Sequence, residues 1–70
     1  MQMEEVLGEQ LRKTIKHGMT DAGVRSIREL AKKSGIEYRT LLRRMEAPHA
    51  FTVLELYLIG QVIELEEWPV

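Results

Sequence analysis

The sequence predicts an all-α chain: a small bundle of four helices, or five if a short helix forms in the first connection. Three observations carry this. Apolar residues recur at helical spacing through most of the chain, as in Met3, Leu7, Leu11 and Ile15. Two helix starts are written out chemically, at Ser26 with Glu29 and at Thr52 with Glu55, each a hydroxyl residue followed three positions later by a glutamate. Glycine or proline stands near the places where the stripes stop, at Gly18, Gly23, Gly35 and Pro48. Seventy residues make one domain, 1–70, small enough to need regular packing or self-association.

The first helix is expected from about Met3 to His17, with Val6 widening its stripe. Glu4 and Glu5 then lie near its N-terminus, and Arg12, Lys13 and Lys16 near its C-terminus, as the helix dipole favours. Glu9 and Lys13 form an i, i+4 pair, and Gly18 is the expected stop. The run MTDAGVR, residues 19–25, is read as a connection in which Asp21 and Gly23 turn the chain and Val24 enters the core.

Ser26 caps a second helix whose stripe is Ile27, Leu30 and Ala31. Gly35 ends it, because glycine takes positive φ without steric cost. Ile36 restarts the pattern, and Leu41 and Met45 continue it. Two short helices joined so tightly form a helix-turn-helix over about residues 26–45. Pro48 breaks the chain after Met45. Thr52 and Glu55 then open a fourth helix, from Val53 to about Leu65, with Phe51 and Leu56 placed as a hydrophobic staple. Gly60 inside it implies close approach to a neighbouring helix. Val53, Leu54, Tyr57, Ile59, Val62 and Ile63 suit a strand as well, so a hairpin turning near Gly60 is the competing form. The end, beyond Glu66, reads as irregular. The expected core is Leu7, Leu11, Ile15, Val24, Ile27, Leu30, Ala31, Ile36, Leu41, Met45, Phe51, Leu56, Ile59 and Ile63.

The run Leu30-Ala31, Gly35-Ile36 and Thr40-Leu41, followed by Phe51-Thr52, Glu55-Leu56 and Ile59, resembles the helix-turn-helix of phage Cro and repressor proteins and their bacterial XRE-family relatives. It covers roughly Val24 to Leu65. The resemblance implies a lambda-repressor-like bundle that binds operator DNA and regulates transcription, in the cytoplasm of a bacterial host. It also implies that Ala31 lies where the two motif helices touch. Arg44 departs from the pattern, since that position is often apolar.

Charge distribution agrees with this. The net charge is only −1, but residues 25–46 hold seven Lys and Arg against three Glu, net +4, while residues 47–70 hold four Glu and no Lys or Arg. A basic cluster coinciding with the motif is the footprint expected of a polyanion partner. On the outward face of helix 36–46, Glu37, Tyr38, Arg39, Leu42 and Arg43 are the candidate base contacts. Arginine reaches guanine O6 and N7 with two hydrogen bonds, and glutamate accepts from cytosine N4. Tyr38 and Leu42 are equally readable as an apolar pair supporting the core. Ser26, Arg28, Lys32, Thr40, Arg44 and His49 are the candidate phosphate contacts, His49 being also readable as a plain surface residue.

Other functions find little support in the residues. With no cysteine, two separated histidines and no glycine-rich phosphate loop, neither an enzyme nor a metal site nor a cofactor is expected, and no small-molecule ligand. The N-terminus has no apolar core of a signal peptide, and Glu55 and Gln61 interrupt the longest apolar run, so no membrane association is expected. Leu54 and Leu58 form an apolar stripe to which Trp68 adds, and this suggests a homodimer, at least on DNA, unless the tail folds back and Trp68 covers the stripe within one chain. The alternative class is a small helical adapter or antitoxin-like module that docks another protein through its apolar, acidic C-terminal third.

Overall fold

The computed structural model describes residues 3–64. It is all-helical, with α1 Met3–Ala22, α2 Ile27–Ser34, α3 Tyr38–Glu46, a 3-10 turn Pro48–Ala50 and α4 Val53–Gly60. The hairpin alternative fails, because no strand occurs among the described residues. The additional helical turn lies after α3 and not in the first connection.

Helix α1 runs five residues past its expected end. It passes through Gly18 and stops at Gly23, where φ is 74°. Glycine in a helix costs up to about 1 kcal/mol against alanine, and a tertiary contact outweighs that here. A Cβ on Gly18 would lie 2.9 Å from both the Glu64 carbonyl oxygen and Ile63 Cδ1. The chain leaving α4 therefore rests on the bare backbone of α1. Two expectations about its charges change. Arg12, Lys13 and Lys16 stand in mid-helix, away from the terminal dipole, and Glu9 does not meet Lys13.

The longer helix also shifts the buried stripe to Gly8, Leu11, Ile15, Gly18 and Met19. Leu7, expected in the core, lies at its edge and is 37% exposed, while Met19, expected in a loop, is buried. The core otherwise gathers Val24, Leu30, Ala31, Ile36, Leu41, Met45, Ile59 and Ile63, with Ile27, Phe51 and Leu56 half-buried against it. Ile15, Leu30, Leu41 and Ile59 are the largest fully buried side chains. Each such side chain contributes about 1.5–3 kcal/mol of burial.

Helix α4 is shorter than expected. Its end tightens through i→i+3 bonds, from Gln61 N–H to Leu58 O and from Val62 N–H to Ile59 O. This turns Ile63 toward Gly18. Gly60 makes no close approach among the described residues, since a Cβ there would meet none of them within 4 Å. The two glycines should therefore respond oppositely to alanine. Gly18→Ala is expected to destabilise by about 1–3 kcal/mol through overpacking, more than the helix propensity it gains. Gly60→Ala should stabilise by up to about 1 kcal/mol. Chemical denaturation of the two variants checks both signs.

Candidate nucleic-acid interface

The turn between α2 and α3 is built from short-range bonds. Ser26 is extended and its Oγ accepts from Glu29 N–H at 3.1 Å, capping α2. Glu29 returns its carboxylate to Arg25 N–H at 2.9 Å, one residue before the cap, so the capping box is offset by one position. At the other end Gly35 takes φ 82° and its N–H reaches Ala31 O at 2.9 Å. Ser34, unremarked in the sequence, is buried; its Oγ donates to Ala31 O and accepts from Ile36 N–H at 3.3 Å. With these bonds made, Ile36 and Glu37 precede the helix, and α3 starts at Tyr38 instead of Ile36.

Helix α3 buries Leu41 and Met45 and turns Arg39, Leu42, Arg43 and Glu46 outward, at i, i+3, i+4 and i+7. These four, with Glu37, line one shallow surface groove. Neither Arg39 nor Arg43 has a carboxylate partner within 4.0 Å among the described residues. Arg43 makes only a long 3.5 Å contact with Thr40 Oγ1. Tyr38 is half-buried against the core, with the Arg28 guanidinium carbon 4.2 Å from its ring centroid. That cation–π contact joins the polar edge of α2 to the start of α3. Lys32 is exposed one turn beyond Arg28.

Two anchors hold the far end of α3. From α1, Arg12 donates through Nε to Met45 O at 2.7 Å and through a terminal NH2 to Glu46 O at 2.9 Å. Both carbonyls belong to the last turn, where no helical donor remains, and a cation there also suits the dipole. The sequence held one clue to this, a lone arginine beside Leu11 at the border of an apolar stripe. From α4, Glu55 Oε1 accepts from Arg44 Nε at 2.9 Å while also accepting from Thr52 N–H at 2.9 Å. The Thr52–Glu55 box is complete, and the same carboxylate ties it to α3.

The expected phosphate contacts thus separate. Ser26, Arg28 and Lys32 lie along α2, and Thr40 lies partly covered on α3. The Arg44 guanidinium is turned to Glu55. His49 is exposed in a second groove, with Gly8, Glu9, Arg12, Glu46, Ala47 and Pro48, on the α1 side. Of the expected self-association residues, Leu54 is exposed, but Leu58 is half-buried on the core because the helix face turns differently. Trp68 lies outside the described residues.

Burial raises the Glu55 carboxyl, but the bonds from Arg44 and Thr52 outweigh it and hold its pKa below the ordinary value of 4.5. The Arg25 N–H is the main cause of a similar lowering at Glu29, opposed by desolvation and aided by Lys33. A lowered folded pKa means stability present above the ordinary value and lost as pH falls through the folded one. Melting temperature should therefore drop as pH falls below about 4.5. Glu55→Gln should be less stable at neutral pH and show a shallower acid slope, with the Glu29 contribution remaining.

No family model, curated protein or solved structure matches this chain. No described helix is long and apolar enough to cross a membrane.

Proposed function

We propose that the chain is a sequence-specific regulator of the Cro/repressor helix-turn-helix type, binding duplex DNA by placing α3 in the major groove. The observation that carries the reading is the division of α3 into two faces. One face is locked, by the Gly35 turn, by Arg12 and by the Arg44–Glu55 pair. The other presents Arg39, Leu42 and Arg43 without intramolecular charge partners among the described residues. A rigid helix with an unengaged arginine face suits base-edge readout, arginine to guanine and Leu42 to a thymine methyl. Arg28, Lys32 and Ser26 on α2 are the phosphate-positioning set in this reading. Tyr38, held under Arg28, presents its hydroxyl at the junction of the two helices. The protein acts by binding and not by catalysis.

The test is a fluorescence-anisotropy titration on random duplex at several salt concentrations. On random duplex, where Arg39 and Arg43 find no cognate base and rest on phosphate with Arg28 and Lys32, log K should fall with log salt at a slope of roughly −3 to −4. The adapter reading draws on the apolar face of α4 that no other described residue covers, and it replaces the regulator reading if no duplex binds at low salt.

A further inference from the structure

Three chemically different side chains follow one another along the outward stripe of α3. Leu42 stands three positions after Arg39 and four before Glu46, the spacings at which helical side chains adjoin. All three line the shallow groove on this face. Among the described residues Leu42 is the groove's one apolar side chain, and it is 36% exposed. Glu46 is exposed too, and only its main-chain oxygen is engaged, by Arg12. Its carboxylate has no cation within 4.0 Å among the described residues. It ends α3, where a negative charge opposes the helix dipole. Helix chemistry alone therefore gives Glu46 no reason to stand there.

We propose that this stripe recognises a C5-methylated cytosine beside a guanine, and that cytosine methylation in the site tightens binding; in this it rests on the regulator reading. Arg39 takes guanine O6 and N7 with two hydrogen bonds. Leu42 covers the methyl group of the neighbouring pyrimidine, apolar against apolar. Glu46 accepts from the N4 amine of that pyrimidine. The order guanidinium, isobutyl, carboxylate along the helix answers an acceptor pair, a methyl and an amine on the base edges.

The stripe then ranks the pyrimidines. Thymine brings the same methyl but sets its O4, an acceptor, against the Glu46 carboxylate with no proton between them. Unmodified cytosine satisfies Glu46 and leaves Leu42 facing a bare ring edge. Only 5-methylcytosine satisfies both. Its methyl leaves the amine and the pairing with guanine unchanged, so affinity changes without any change of sequence. Occupancy of the site thus depends on its methylation as well as on its bases.

The experiment selects sites from two random duplex libraries, one made with cytosine and one with 5-methylcytosine throughout. The site from the second library is then titrated by anisotropy with each cytosine methylated or not. Methylation at one cytosine should tighten binding about fourfold, the worth of one methyl group taken out of water. Thymine at that position should bind at least about fivefold more weakly than 5-methylcytosine. Leu42→Ala should bring the ratio of methylated to unmethylated affinity close to one. Any unfolded fraction of that variant enters both titrations alike and cancels from the ratio. Glu46→Gln, whose amide can donate to O4, should shrink the thymine penalty and keep the methyl effect. Equal binding of methylated and unmethylated sites, or a methyl effect that survives Leu42→Ala, overturns the proposal while the regulator reading stands. So does thymine binding as tightly as 5-methylcytosine. If neither library binds at any salt, the regulator reading fails and this inference falls with it.

Discussion

Leu41→Ala is expected to destabilise the chain by about 2–5 kcal/mol. Leu41 is fully buried in the middle of α3, in the one core shared with Leu30 and Ala31 of α2 and with Ile59 of α4. Removing its isobutyl group opens a cavity where helices meet, and the short helices around it have little freedom to collapse. A domain of this length carries a total stability of roughly 4–10 kcal/mol. The variant should therefore lose up to half or more of its stability, seen as a large drop in the urea midpoint. Under the proposed DNA-binding function, affinity for duplex should fall only in proportion to the fraction unfolded, and recover at low temperature or with excess duplex.

Arg39→Ala should do the reverse on the same helix. Arg39 is exposed and makes no ion pair within the described chain, so melting should be almost unchanged. Operator affinity should fall by about 1–3 kcal/mol, and preference at one base pair should relax. Lys32→Ala is the contrast. It should weaken all duplexes about equally and make the salt slope shallower by roughly one. Titration of both variants on selected and scrambled duplex, at several salt concentrations, reads the difference. The same uniform loss for both would mean that α3 does not read bases.

Local chemistry was legible before the structure. The Ser26 and Thr52 caps, the Gly35 turn and the stripe Leu30, Ala31, Ile36, Leu41 and Met45 each depend on residues within a few positions of one another. What escaped depends on distance. Gly18 looks like a stop because propensity is all that a local reading weighs, and Ile63 and Glu64, which settle on it, are more than forty residues away. Gly60 was assigned the close approach that Gly18 makes. Arg12 and Arg44 read as surface cations, although one bonds across 33 and 34 residues and the other across 11. Helix α4 is almost wholly apolar, so no amphipathic stripe says which side faces in. That is why Leu58 was expected outside, although it is half-buried on the core.

The bonds from Arg12 bear on how the molecule comes apart. The last turn of α3 depends on a donor that lies near the other end of the chain, in the middle of α1. A fragment beginning after α1 would retain the whole motif yet leave the Met45 and Glu46 carbonyls to water. Undocking of α1 and fraying of α3 then belong to a single sub-global opening, and the amides at the two places exchange with solvent at a common free energy. If α3 reads DNA as proposed, the N-terminal helix is part of the reading head, and any event that loosens it loosens the grip on the groove.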